Sequence, residues 1–133
     1  MAFLSWHERY RVGHAGLDLQ HQRLFELVNL FDDVIQMGLA EELHRILDDI
    51  ILVSIEHFRD EERLLRAAGF PRVEEHAQMH EELLAQIRKM RASLSAGGHV
   101  SPKAVVRFLA DWLTYHILRE DADYKPYLAE GRN

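Results

Sequence analysis

Residues 57–80 read HFRDEERLLRAAGFPRVEEHAQMH, and this stretch decides the fold. Gly69-Phe70-Pro71 breaks the chain, because glycine accepts the left-handed conformation that ends a helix and proline cannot continue one. The residues before and after the break space their apolar side chains as amphipathic helices do. The stretch therefore predicts two long helices joined by a short connection, which makes them antiparallel neighbours.

The same pattern continues outward from this turn in both directions. Asp18 is the expected N-cap of the first helix, Gly38 its stop, and Ser101-Pro102 a good start for the last helix. The predicted helices cover about 18–37, 41–68, 72–95 and 102–119. The sequence thus predicts an all-α, antiparallel up-down-up-down four-helix bundle in a single domain, residues 1–133.

An N-terminal arm, residues 1–17, precedes the bundle. Among its apolar side chains are Trp6, Tyr10, Val12 and Leu17. Because so apolar a segment is costly to leave in water, we expect the arm to pack along the bundle. Gly13 and Gly16 predict turns here rather than a fifth helix.

The composition excludes several classes of function. Lys and Arg number 16 against 22 Asp and Glu, and a net charge of -6 argues against nucleic-acid binding. No stretch approaches the ~20 apolar residues of a membrane span, and residues 1–10 lack the pattern of a secretory signal, so we expect a cytoplasmic protein. Cysteine is absent, so any metal must be bound by nitrogen and oxygen.

Two pairs of candidate metal ligands flank the central turn. His57 and Glu61 are four residues apart on the second helix, and His76 and His80 are four apart on the third. Residues at this spacing differ by about 40° around a helix axis, so each pair projects from one face.

The two outer helices place further candidates at the same height. His21 lies near the start of the first helix, and His116 lies near the end of the fourth, followed by Glu120 and Asp121. In an antiparallel bundle the starts of odd helices and the ends of even helices meet at one end. All four helices therefore contribute a candidate ligand to one level, where either carboxylate after His116 could join.

Ordinary packing is the competing interpretation. A single inward histidine is more often a hydrogen-bonded core residue, and an isolated HxxxE or HxxxH pair also occurs by chance. Two such pairs on adjacent helices, with a histidine at matching height on each other helix, favour a metal site instead. Five histidines and two carboxylates suit two ions rather than one, and imidazole with oxygen ligands favours iron.

Known metal motifs narrow the class further. An H-E-x-x-H zinc-protease helix is absent, as is the Glu-x-x-His motif of ferritin-like di-iron proteins. The other four histidines do not lie at the level of the candidate ligands, and we expect them to be exposed to solvent. This expectation is left open for His14, because it lies in the arm. The four are His7, His14, His44 and His99.

These residues resemble the hemerythrins, specifically the bacterial single-domain kind, from about Trp6 to Tyr127. Every position of the family's seven-ligand pattern is matched. The motifs are Asp18-Leu19-Gln20-His21, His57-Phe58-Arg59-Asp60-Glu61-Glu62, Gly69-Phe70-Pro71, His76-Ala77-Gln78-Met79-His80, and Trp112-Leu113-Thr114-Tyr115-His116-Ile117 continuing to Asp121. His14 departs from the family, which usually carries an aliphatic residue there.

The resemblance implies two non-haem iron ions joined by an oxo or hydroxo bridge. It assigns His76, His80 and His116 to one iron, His21 and His57 to the other, and Glu61 and Asp121 to both. It also picks Asp121, where spacing alone would have chosen Glu120. His116 and Asp121 would be about 140° apart on a regular α-helix. The resemblance therefore requires a π-like widening or a loosened helix end between them.

On this ligand count the two-histidine iron keeps one open position. The resemblance implies reversible dioxygen binding there, for carriage, storage or delivery, without enzyme activity. Leu113 and Ile117 flank His116 and would line the oxygen pocket. Two alternatives stay open: an oxygen- or redox-sensing domain acting through a signalling partner, and a di-iron oxidase or peroxidase. We expect a monomer, and an oxygen-consuming enzyme is the other partner considered.

Overall fold

The structure, a computed structural model, describes residues 3–95 and 101–131. It is a bundle of four long helices, as the sequence predicts. They are α1 (Ala15–Met37), α2 (Ala40–Ala68), α3 (Val73–Ser95) and α4 (Pro102–Tyr115). A π-helical segment (His116–Glu120) and a 3-10 turn (Asp121–Tyr124) follow α4 and lead into a short helix, α5 (Lys125–Gly131).

Glycine and serine set the helix ends where the sequence predicts them. Gly38 and Gly69 follow α1 and α2 with φ of 73° and 78°, a left-handed conformation that lets their amides bond back to the last helical carbonyls. Ser101 accepts a hydrogen bond from the amide of Ala104, 3.1 Å away, and Pro102 opens α4. The helices thus turn back sharply and lie antiparallel.

The start of α1 differs from the prediction. The helix begins at Ala15, so Gly16 is helical, and His14 is the N-cap because its Nδ1 accepts a hydrogen bond from the amide of Leu17, 3.2 Å away. Asp18 is therefore not the N-cap. Its buried carboxylate instead accepts a hydrogen bond from the amide of Val12, 2.7 Å away, and ties the arm to α1.

The arm packs along the bundle, as expected. Trp6 meets Phe25 of α1 edge-on, with ring centroids 5.2 Å apart, and Tyr10 and Val12 are buried. A 3-10 turn (Glu8–Tyr10) lies within it, and Gly13 makes a turn with φ of 90°. This packing covers the end of the bundle where α1 begins.

Two apolar clusters divide the interior. The larger fills the length of the bundle between the four helices. The smaller lies beyond the predicted ligand level. It includes Tyr124 of the 3-10 turn and Leu128 of α5, two elements that the sequence does not predict. It consists of Val12, Leu17, Leu65, Phe70, Tyr124 and Leu128. The ligand level is therefore enclosed by hydrocarbon on both sides.

Candidate metal centre

The structure brings all seven predicted ligands into one buried cluster. None of them is more than 4% exposed, and they come from α1, α2, α3, the π-helical segment and the 3-10 turn that follows it. They are His21, His57, Glu61, His76, His80, His116 and Asp121. Burying this many polar groups is costly unless something satisfies them, so the cluster calls for a cation.

A π-helical segment brings Asp121 to the cluster. His116 opens the segment and Asp121 immediately follows it. The wider i→i+5 turn of a π-helix lets residues five apart face the same way. As a result, Asp121 Oδ1 lies 3.0 Å from His116 Nε2. This is the widening that the choice of Asp121 over Glu120 requires.

The cluster consists of two histidine sets that come from different halves of the bundle. His21 of α1 and His57 of α2 form one, with ring centroids 4.5 Å apart. The other contains His76, His80 and His116. In each set, the potential ligand atoms of the histidines and of one or both carboxylates lie within 4.8 Å of one another.

Glu61 lies between the two sets and turns one oxygen toward each. Its Oε1 is 2.8 Å from His76 Nε2 and 3.1 Å from His80 Nε2. Its Oε2 is 3.4 Å from His57 Nε2 and 4.0 Å from His21 Nε2. The carboxylate is therefore placed to serve two ions at once.

Asp121 is divided in the same way. Its Oδ1 lies 3.1 Å from His76 Nε2, in the three-histidine set. Its Oδ2 lies 3.1 Å from His21 Nε2, in the two-histidine set. Each carboxylate thus offers one oxygen to each imidazole set, and each set with its carboxylate oxygens could hold a metal ion.

The hydrogen bonding tests whether metal ions fit. The Nε2 atoms of His21, His57, His80 and His116 and both Asp121 oxygens are buried and have no hydrogen-bond partner in the part of the chain described. Several nonetheless lie about 3 Å from a nitrogen or oxygen atom of a neighbouring residue in the cluster. This is the separation expected between adjacent ligand atoms that are each ~2.1 Å from one metal. These atoms thus converge without forming hydrogen bonds, so the residues fit bound metal.

The charges of the cluster shift its pKa values. Burial and the charge of Glu61 act to raise the pKa of Asp121, but attraction from His116 and His21 holds it well below its usual range. Burial acts to lower the pKa of His76, but Asp121 and Glu61 outweigh it and raise that pKa to about 10. Without a cation, the carboxylates therefore hold a proton on His76.

Outer partners orient two of the histidines. The Nδ1–H of His57 donates to Gln20 Oε1, 2.6 Å away, and Gln20 Nε2 donates to Asp60 Oδ2, 2.8 Å away. The Nδ1–H of His80 donates to Glu62 Oε2, 2.7 Å away. Because Gln20 and Glu62 accept hydrogen bonds from the Nδ1–H groups, the Nε2 atoms keep their lone pairs and direct them into the cluster.

Aromatic side chains also support the site. Phe58 stacks on the His80 ring, with centroids 3.8 Å apart and planes 6° apart, and Trp112 stacks on His116. The buried hydroxyl of Tyr124 donates a 2.7 Å hydrogen bond to Glu61 Oε2. Burial, followed by the charges of Asp121 and Glu61, raises the pKa of Tyr124 well above its usual value, so the phenol remains a donor.

The sequence alone assigns no role to Gln20, Glu62 or Tyr124. Gln20 precedes His21 and Glu62 follows Glu61, so adjacency to a predicted ligand is the signal that could have identified them. Nothing in the sequence pointed to Tyr124, since it depends on the turn after Asp121. Leu113 and Ile117, the expected oxygen-pocket residues, are both buried in the larger apolar cluster.

The four histidines expected to be solvated differ from one another. His7 is exposed, as predicted, and His14 is the half-buried cap of α1. His44 is half-buried, with an Nε2 atom that is buried and lacks a hydrogen-bond partner, so the prediction is only partly right there. His99 lies outside the described residues.

The bundle and its cluster define an all-α protein with a buried metal site of histidines and carboxylates. The chain belongs to the hemerythrin family: the model of the hemerythrin HHE cation binding domain matches residues 12–128.

Within residues 3–95 and 101–131, no helix has both the length and the hydropathy of a membrane span.

Named relatives agree with this assignment. The chain is 29% identical over 124 residues to a bacteriohemerythrin of Pseudomonas paraeruginosa, covering 93% of this chain and 80% of the relative. It is 33% identical over 120 residues to myohemerythrin-1 of Phascolopsis gouldii, covering 90% of each. A crystal structure of wild-type hemerythrin superposes with a TM-score of 0.88 at 27% identity, covering 96% of this chain and 99% of that one.

Proposed function

We propose that this protein binds two iron ions and, through them, dioxygen reversibly. The observation that carries the proposal is the division of Glu61 and Asp121, each with one oxygen toward each histidine set. Imidazole and carboxylate donors without sulfur suit iron. The named relatives are hemerythrins, which supports the same metal and ligand for this chain.

The seven side chains would hold the two ions unequally. His76, His80 and His116 would bind one ion and His21 and His57 the other, with Glu61 and Asp121 shared between both ions. The second ion would then have one protein donor fewer and more room for an outside ligand. A ferrous pair held here would supply the electrons for binding dioxygen reversibly.

The surroundings of the cluster favour reversible binding over enzyme chemistry. Leu113 and Ile117 are each 1% exposed, and we assign them to the wall of the dioxygen pocket. By excluding water they would slow the irreversible oxidation of the metal pair. A carrier or store of dioxygen fits this enclosure better than an oxidase that must admit an organic substrate.

Iron analysis and oxygenation test the proposal together. We expect two irons per chain, and a coloured adduct on mixing the anaerobic ferrous protein with dioxygen that reverts to the ferrous protein under vacuum. His57→Ala should lose this behaviour, while His44→Ala, a histidine outside the cluster, should keep it. Steady oxygen consumption by the wild-type protein would instead indicate an enzyme, and one iron or none would refute the proposed centre.

A further inference from the structure

Ser54 of α2 is a fully buried polar residue outside the seven-residue cluster. It is 0% exposed, and its hydroxyl has no hydrogen-bond partner in the part of the chain described. Asp18 is also buried, but it accepts the hydrogen bond from Val12, and His44 is only half-buried. Leaving a buried hydroxyl unpaired costs about 1–3 kcal/mol, so the position of Ser54 calls for an explanation.

The helix itself does not satisfy this hydroxyl. A serine or threonine within a helix commonly donates to the carbonyl four residues earlier. Thr114 of α4 does so, with its Oγ1 3.0 Å from the carbonyl oxygen of Ala110. Ser54 makes no such bond. Its hydroxyl is therefore available to a group other than its own helix.

Helical geometry places Ser54 beside the cluster. Ser54, His57 and Glu61 follow an i, i+3, i+7 spacing, so they share one face of α2. Ser54 lies about one turn, ~4.5 Å, from His57 toward the middle of the bundle. The same step inward from the histidines of the other helices reaches buried leucines. These are Leu24, Leu83 and Leu113.

Ser54 is therefore a hydroxyl in a layer that is otherwise hydrocarbon, on the inner side of the cluster. It belongs to α2, which carries His57 and so contributes to the two-histidine set. That set offers one imidazole fewer than the other, so an outside ligand belongs on this side of the cluster. The unpaired hydroxyl and a histidine of the set with fewer donors thus lie on one face of α2, about one turn apart.

We propose that the Ser54 hydroxyl donates a hydrogen bond to a small ligand of two or three atoms held beside His21 and His57. Such ligands are dioxygen, or a small anion such as azide when the metals are oxidised. Leu113 and Ile117 would form the apolar wall of the same pocket. This inference rests on the proposed function and adds to it the polar contact that orients the ligand.

Azide binding to the diferric protein tests Ser54 directly. Ser54→Ala should weaken azide binding about five- to tenfold, the effect of losing one hydrogen bond, and should shift the azide stretching frequency in the infrared. Ser54→Thr, which keeps the hydroxyl, should stay within about twofold of wild type. Because no protein partner is lost, the melting temperature of azide-free Ser54→Ala should not fall.

Other results would overturn the inference. Unchanged affinity, an unchanged azide frequency, or a drop of several degrees in the melting temperature of Ser54→Ala would each show that the hydroxyl does not serve the ligand. These failures concern Ser54 alone as long as the wild-type protein holds two irons and binds azide. A wild-type protein that holds no iron pair would refute the proposed function and the Ser54 proposal together.

Discussion

His57 and His80 each use one ring nitrogen for an outer partner and keep the other for the cluster. Gln20, a neutral amide, serves His57, whereas Glu62, a carboxylate, serves His80. Both partners fix which nitrogen carries the proton. The carboxylate of Glu62 also makes the His80 imidazole a stronger electron-pair donor to a metal. The two halves of the centre therefore differ in their outer hydrogen bonds as well as in their number of histidines.

Removing an outer partner should weaken metal binding without unfolding the bundle. We expect Glu62→Ala to lower ferrous-ion affinity about 10- to 100-fold, because His80 would lose the bond that fixes its orientation. Competition with a chelator of known affinity measures this change. Glu82→Ala, an exposed carboxylate on α3, is the matched control, and equal affinities for the two variants would contradict the role of Glu62.

The raised pKa of His76 predicts a pH dependence of iron uptake. The folded-state pKa of His76, about 10, lies above the ordinary value of 6.5. The proton on His76 therefore stabilises the metal-stripped protein most fully below pH 6.5. This contribution is lost as the pH rises through 10. Metal must displace that proton. Ferrous affinity should therefore rise with pH, by up to about tenfold per unit for this one proton; an affinity that is flat from pH 6 to 8 would contradict the shift.

At this scale the sequence predicted which side chains converge but not what supports them. The i, i+4 pairs define a shared face by themselves, and antiparallel helices bring those faces to one level. The bond from His57 to Gln20 instead joins residues 37 apart in the chain, and its formation depends on rotamers that spacing does not determine. The unpaired state of Ser54 is likewise visible only when its surroundings are known.

Among the elements, the π-helical segment after α4 has the most direct effect on the site. It lies between His116 and Asp121, and it lets two residues five apart face one cluster. The 3-10 turn that begins at Asp121 then places Tyr124 against Glu61. This local change of helix type thus positions the carboxylate of Asp121 and the Tyr124 hydroxyl that donates to Glu61.

The segment predicts which of two adjacent carboxylates matters. Asp121→Ala should lose bound iron, because one oxygen is removed from each histidine set. Glu120→Ala, the neighbouring control, should keep two irons per chain. Iron content after desalting, with circular dichroism to check helicity, measures both. Retention of both irons by Asp121→Ala together with their loss in Glu120→Ala would show that Asp121 is the wrong residue.

Helix boundaries show where local sequence signals compete. Gly38, Gly69 and Ser101 each have a single strong preference, and they act as predicted. At the start of α1, however, both His14 and Asp18 can act as the N-cap. The Val12 amide of the arm donates a hydrogen bond to the Asp18 carboxylate, so His14 caps the helix instead. Helix α5 was missed because it follows directly on a distorted turn, without a clear cap of its own.

On the scale of the whole molecule, the centre lies between two apolar clusters. The long cluster fills the bundle, and the small one seals its end with the arm, the central turn and the C-terminal turn. Tyr124 belongs to the small cluster and also bonds Glu61. Closure of this end and the position of a shared carboxylate are therefore coupled.

Tyr124→Phe tests that coupling. The change keeps the ring but removes a buried hydrogen bond to a charged group, so we expect the metal-stripped protein to lose about 1.5–3 kcal/mol of unfolding free energy. Urea denaturation followed by circular dichroism gives the value. Tyr127→Phe, at an exposed tyrosine of the same end, should change it little. Equal stability of the two variants would show that the hydroxyl contributes nothing.

The central claim is that two unequal histidine sets hold two irons through shared carboxylates. Mössbauer spectroscopy of protein loaded with iron-57 tests it most directly, because each iron reports its own surroundings. We predict two irons per chain, magnetically coupled, giving two signals of equal area in the oxygenated protein because one set has three histidines and the other two. A single uncoupled iron signal from fully loaded protein would contradict the claim.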